Sequence, residues 1–154
     1  MEYILAFDLS LSNSGVCVFD EKGNPIETMS VSTTSKMEHK DRLRVIADEF
    51  LKLKKKYKPH LIVIESGFSR HAASTQAVYK VHGLTQYLFS DSEQIFFAPS
   101  TIKKTLTGTG RADKQLVQEK VLKKFPNMKF ENEDESDSCS IGIAYFVTNN
   151  LMKL

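Results

Sequence analysis

The sequence predicts an α/β fold in a single domain over residues 1–154, with a mixed five-stranded sheet, three strands antiparallel and two parallel, flanked by helices. Three observations carry this. Three strand patterns follow one another across hairpin-type links before any helical spacing begins. Two further short apolar runs, "LIVIE" and "QIFFA", each come after a helical segment, as parallel crossovers require. No repeat, low-complexity linker or composition break divides the chain.

Taken in order, "YILAFDL" (3–9) reads as a buried strand and "SGVCVFD" (14–20) as a second, alternating with period two. "EKGNP" (21–25) is a hairpin turn signal, and "IETMSVS" is the third strand. From Asp41, the residues Leu43, Ile46, Phe50, Leu53 and Tyr57 recur at helical spacing until Pro59 stops them. "LIVIE" (61–65) is a fully apolar strand ending in a carboxylate, residues 72–90 read as a helix, and "QIFFA" (94–98) as the fifth strand. Pro99 opens a short helix that stops at Gly108, a further helix covers about 112–125, and the last runs from about Asp134 to the C-terminus.

A hydrophobic fraction of 41% and a charged fraction of 26% are ordinary for a globular protein large enough to bury a core. No apolar run reaches membrane-span length, and "MEYILAFDLSLS" lacks the basic start of a signal peptide, so a cytoplasmic protein without a membrane partner is expected. Cys17 and Cys139 lack CxxC spacing and read as buried thiols. The net charge is only +2, but it is unevenly spread. Lysines gather in 51–58 and 102–125, while residues 131–137 hold five carboxylates. The simplest reading of "KLKKK" is the wet face of an amphipathic helix. Separated basic and acidic zones also suit an anionic polymer on one and a cation on the other.

Asp8 follows "ILAF" and Glu65 follows "LIVI". An acid directly after a buried strand is costly unless it is paired, hydrogen-bonded or bound to a cation. If the fourth strand lies beside the first, the two acids become neighbours at the carboxyl ends of parallel strands, where open α/β sheets bind ligands. Asp134 and Asp137, spaced i, i+3, share a helix face. Taken alone, that pair reads first as helix capping, with Asp134 at the N-cap and Asp137 at N3. Glu131, Glu133 and Glu135 are expected to face solvent or to serve as charges at the helix start. The small residues Ser138, Cys139, Ser140 and Gly142 let this helix approach the sheet and bring its acids toward Asp8 and Glu65. Four carboxylates suit hard cations such as Mg²⁺ or Mn²⁺ and can hold two of them roughly 3.5–4 Å apart, the arrangement that clamps a phosphodiester. Neutralising these acids would leave the protein more positive than its bare +2, which favours a polyanionic substrate.

In chain order these segments resemble the RuvC-type Holliday junction resolvases of the ribonuclease H-like superfamily. "ILAFDLSLSNSGVCVFD" resembles the family's first strand, catalytic Asp and hairpin, and "PHLIVIESGF" its second acidic strand end. "FAPSTIKKTLTGTGRADKQLVQEKV" resembles its proline-then-basic segment, and "DESDSCSIGIA" its closing DxxD. The resemblance implies Asp8, Glu65, Asp134 and Asp137 as metal ligands for two Mg²⁺, with Mn²⁺ as substitute. Lys114 falls on a catalytic position and Lys103 on a second basic one. Phe68, at the family's base-stacking position, Arg70, Arg111 and Lys104, which has no matching position in the family, join them as expected DNA contacts. The family further implies a homodimer with residues 72–90 near its interface, and branched DNA (a four-way junction, a three-way junction or a fork) as partner. "DLS" stands where many members have Asp-Pro-Gly, "SRHAAS" replaces a Met-Ala-Lys-Asn type segment, and the chain lacks a basic C-terminal tail. These departures point to a small variant of phage or Gram-positive type.

The resulting expectation is a Mg²⁺-dependent endonuclease that hydrolyses junction DNA by in-line attack and leaves 5′-phosphates. A broader ribonuclease H-like nuclease, acting on forks, flaps or RNA–DNA hybrids, is the nearest competitor. A non-catalytic junction-binding module conflicts with the presence of all four acids. A sugar-kinase or actin-like ATPase would need a second domain and another glycine-rich phosphate loop. The histidines His39, His60, His71 and His82 read as structural or solvated, with "SRH" (69–71) a weak phosphate contact.

Overall fold

A computed structural model describes residues 1–67 and 72–154. Three strands open the chain, β1 (Tyr3–Asp8), β2 (Asn13–Asp20) and β3 (Pro25–Ser32). They are followed by α1 (His39–Tyr57), β4 (Leu61–Glu65), α2 (Ala72–Leu88) and β5 (Glu93–Phe97). Three helices close it, α3 (Pro99–Thr107), α4 (Lys114–Lys124) and α5 (Glu133–Thr148). The sheet order is β3-β2-β1-β4-β5, with β1–β2 and β2–β3 antiparallel and β1–β4 and β4–β5 parallel. This is the predicted plan, including the fourth strand beside the first.

Period-two alternation sorts the central strands onto two cores. Ile4, Ala6, Cys17, Phe19, Leu61 and Val63 face α3, α4 and α5. Leu5, Phe7, Val16, Val18, Ile62 and Ile64 face α1 and α2. Burial on both faces explains why β1 and β4 read as continuous apolar runs rather than alternating ones. On the α1 side, Phe7, Phe50 and Phe89 pack ring against ring at centroid distances of 5.0–6.4 Å. The α5 side instead uses small residues. Gly142 sits where an added Cβ would lie 2.0 Å from the Phe19 ring, so that helix lies tight against the sheet.

Several helix boundaries differ from the sequence expectation, each for a local reason. The fourth helix starts at Lys114 because the Asp113 carboxylate caps it, accepting from the Leu116 N–H at 2.8 Å. The last helix is capped by Asn132, whose side chain accepts from the Glu135 N–H at 3.1 Å, so Asp134 is not the N-cap and both aspartates stay free for other work. It ends at Thr148 rather than at the chain terminus. Glu135 is a helix-start charge, one of its two expected placements, but it is buried at 3% exposure instead of solvated. Its carboxylate accepts from Thr28 Oγ1 at 3.0 Å and Ser30 Oγ at 3.3 Å, which ties α5 to β3. On α1, Arg42 is buried beside the predicted apolar positions and donates to the hydroxyls of Thr33 (2.8 Å) and Ser12 (3.1 Å). Cys17 and Cys139 are buried free thiols, and burial pushes the Cys17 thiol up from its usual value.

Gly142→Ala should force Phe19 aside and destabilise the protein by roughly 1–3 kcal/mol, measured by urea denaturation. Glu27 of β3 accepts from the Tyr57 hydroxyl and lies 3.0 Å from the Lys56 ammonium. The Tyr57 hydroxyl foremost, opposed by desolvation and aided by Lys56, holds the Glu27 carboxyl below its ordinary value of 4.5. That contribution to stability is complete above pH 4.5 and is lost as pH falls through the lower folded-state value. Tyr57→Phe should therefore flatten the acid limb of the stability–pH curve, read from denaturation midpoints below pH 4.5.

Candidate active site

Strand register decides where the acids stand. Phe7 pairs with Ile64 across the parallel β1–β4 ladder, so Asp8 and Glu65, one residue further on, emerge side by side at the carboxyl ends of both strands. On the other flank Asp8 pairs with Gly15 of β2. A Cβ at Gly15 would sit 2.0 Å from the carbonyl oxygen of Asp134, so only glycine admits the start of α5 against the sheet at this register. The i, i+3 spacing of Asp134 and Asp137 then turns both toward Asp8. One carboxylate oxygen from each of Asp8, Asp134 and Asp137 lies within 4.8 Å of the others.

Glu65 stands outside that trio and lines an adjoining cavity of about 220 Å³ with Asp137, Lys103 and Lys114, over the apolar side chains of Ile102 and Val117. The two parts act on each other electrostatically. Burial first, then the charges of Glu65, Asp137 and Asp134, push the Asp8 carboxyl up to about 8, with Lys114 opposing. Burial and Asp137 raise Glu65, against Lys103 and Lys114. Burial likewise raises Asp137, against its bond to Lys114. Lys114, first residue of α4, reaches Glu133 at 2.9 Å and Asp137 at 3.0 Å. Burial disfavours its charge, but these two carboxylates outweigh that and raise its ammonium above the ordinary value.

A half-buried cluster of like charges, only partly neutralised by one lysine, is the environment that a divalent cation stabilises. The donors are all carboxylate oxygens, the ligand chemistry of hard cations. On both counts the residues fit a metal.

The structure thus brings six of the expected residues together: Asp8, Glu65, Asp134, Asp137, Lys103 and Lys114. Lys104 and Arg111 are exposed and do not line the cavity. Phe68 and Arg70, with His71, lie outside the described residues. His39 and His60 are exposed, while His82 is buried and its imidazole is lowered by that burial. Three contributors escaped the sequence reading. A glycine inside the alternating pattern of "SGVCV" was the available sign of a close backbone approach at Gly15. Glu133 carried no sign of its partnership with Lys114. Asn13, whose side-chain amide donates to Asp134, carried none either.

The family described as crossover junction endodeoxyribonuclease RuvC matches residues 4–145. The RuvC of Rickettsia bellii is 28% identical over 154 residues, covering 96% of this chain and 98% of that protein. The RuvC of Thermosipho melanesiensis is 34% identical over 124 residues, covering 77% and 79%. Among solved structures, Thermus thermophilus RuvC in complex with Holliday junction substrate superposes with a TM-score of 0.85 at 17% identity, covering 97% of this chain and 95% of that one.

The crowding of charge at Asp8 carries a stability consequence. In chelator-treated protein at neutral pH, Asp8→Asn should raise unfolding stability by roughly 0.5–2 kcal/mol, because burial foremost, with the charges of Glu65, Asp137 and Asp134, makes folding hold Asp8 protonated at a cost the neutral amide does not bear. Thermal and urea melts in EDTA would check this; a clear loss of stability contradicts it.

Proposed function

The chain belongs to the RuvC family of crossover junction endodeoxyribonucleases, and on that footing we propose that it cuts four-way DNA junctions with Asp8, Glu65, Asp134 and Asp137 holding two divalent cations, Mg²⁺ or Mn²⁺. The observation that carries this reading is the convergence of Asp8, Asp134 and Asp137 oxygens within 4.8 Å, beside a lysine-lined cavity that Glu65 closes. Bound there, such cations supply Lewis-acid activation of the attacking water and stabilisation of the leaving 3′-oxygen, which yields 5′-phosphate ends.

The protein side chains do the rest. Asp8 and Glu65 are held by two neighbouring strands of one sheet, so their spacing is rigid. Asp134 comes from the first turn of α5 and Asp137 from the next, where Lys114 offsets the burial of its charge. Lys114 is anchored at the start of α4 by the Asp113 cap and stays charged beside Glu133 and Asp137. It is placed to meet the phosphate as negative charge develops. Lys103 lines the same cavity and would fix the strand backbone on the entry side. Lys104 and Arg111, exposed on α3 and on the turn before α4, extend the basic surface beyond the cavity. Cutting both opposed strands of a junction calls for a second copy of the chain, and the exposed Tyr79 and Tyr87 of α2 belong to the segment expected at that interface.

Incubation with a mobile four-way junction, a fork, single-stranded DNA and an RNA–DNA hybrid tests the reading. Cutting of the junction in Mg²⁺ supports it, whereas preferential cutting of the hybrid points to a general ribonuclease H-like nuclease. Asp8→Asn and Glu65→Gln should abolish cutting and leave junction binding intact; full cleavage by either overturns the ligand assignment. Lys114→Ala should slow the single-turnover rate by about 10²–10³-fold. Lys103→Ala should weaken junction binding and reduce the slope of log K against log salt by about one.

A further inference from the structure

We propose that Asn13 is a positioning residue that biases Asp134 toward binding a cation through a single oxygen and so favours small octahedral cations over calcium. The inference rests on the ligand set proposed above and concerns a residue outside that set.

Asn13 opens β2 opposite Ser32, the last residue of β3. Its backbone is fixed from both sides by Ser10, whose Oγ accepts from the Asn13 N–H at 2.9 Å and donates to its carbonyl at 2.8 Å. The side-chain amide is fixed as well. Its Nδ2 donates to Asp134 Oδ2, and its Oδ1 accepts from Ser32 Oγ at 2.7 Å. The orientation follows from chemistry, since an ionised carboxylate only accepts and the NH₂ end must therefore face Asp134.

The two helix aspartates are consequently held in different ways. Asp137 Oδ2 lies 3.0 Å from a charged ammonium, Lys114 Nζ. Asp134 Oδ2 is held by a neutral donor, which orients the carboxylate without cancelling its charge. With one Oδ2 acceptor site engaged by the amide, Oδ1 is the less encumbered oxygen for a cation. Calcium takes six to eight oxygens and often grips a carboxylate through both, whereas Mg²⁺ and Mn²⁺ are satisfied by single oxygens and water. Gripping Asp134 through both oxygens would make Oδ2 share its lone pairs between the cation and the Asn13 amide, and so weaken that bond. The relay from Ser32 through Asn13 to Asp134 therefore disfavours calcium at a site built only from carboxylates.

The experiment is titration calorimetry of the purified full chain with Mn²⁺ and with Ca²⁺, with folding of each variant checked by thermal melting. Asn13→Ala should weaken Mn²⁺ binding by about 10–100-fold, with a smaller loss for Ca²⁺, so the Mn²⁺/Ca²⁺ affinity ratio falls. Ser32→Ala, at an exposed residue that does not touch the acid, should lower the ratio in the same direction by a smaller factor and decides the matter if Asn13→Ala fails to fold. A ratio unchanged in folded variants, including an equal loss for both cations, overturns the proposal. Asp134→Asn separates the two layers of argument. Undiminished Mn²⁺ binding in Asp134→Asn overturns the ligand set together with this inference. Weakened binding there, with the ratio unchanged in Asn13→Ala, overturns this inference alone.

Discussion

The approach of α5 to the sheet at Gly15 is the constraint on which the site depends. Asp8 is fixed by β1, and Glu65 by β4, but neither strand can supply a third carboxylate at the same point. That supply comes from a helix whose first turn presses its backbone onto β2, with the Asp134 carbonyl standing where any side chain at position 15 would be. Farther along, Gly142 against Phe19 keeps the helix axis close over its length, with Ser138, Cys139, Ser140 and Ala144 buried beside it. Close packing of small residues thus sets a distance between charges that no local sequence preference specifies.

That proximity is electrostatically unfavourable, and the surroundings manage it unevenly. Asp8 is raised to about 8, chiefly by burial, with like charges adding to it. Lys114 offsets part of the repulsion from the Asp137 side, while Asn13 holds Asp134 without adding charge. A site left with uncancelled negative charge retains affinity for a cation that a fully ion-paired one would lose. Polar braces hold the elements that carry the acids in place. Glu135 is buried within α5 but bonded to Thr28 and Ser30, so it pins the helix to the third strand instead of adding a loose charge to the site. Arg42 performs a similar service from α1, where its guanidinium ties Ser12 of the β1–β2 link to Thr33 after β3.

The order of elements, the sheet topology and the two parallel strand-end acids were legible in the amino-acid pattern. They follow from local periodicity: apolar runs of strand length, helical spacing between them, and prolines and glycines at their ends. The acidic run 131–137 was legible only in part, because a carboxylate's sequence position does not state its surroundings. Asp134 and Asp137 do converge on Asp8, whereas Glu135, read as a solvent-facing or helix-start charge, lies in the first turn of α5 with its carboxylate buried against β3. Helix capping was misassigned for a related reason. Asn132, Asp134 and their neighbours all cap well, and the choice among them depends on where the chain enters from the preceding turn.

What the sequence by itself determined is therefore the fold, a candidate set of four acids and two lysines, and the family they resemble, since each rests on short-range pattern and on motif order. The tertiary structure alone decided which of these groups meet. It joined Asp8, Asp134 and Asp137 in one cluster and set Glu65 across a cavity with Lys103. It gave Lys114 its two carboxylate partners and brought Asn13 to Asp134 from 121 residues away. The physical reason is the same throughout. A side chain's charge state and bonding are set by its neighbours in space, and those neighbours come from strand register and helix packing distance, which no single segment encodes.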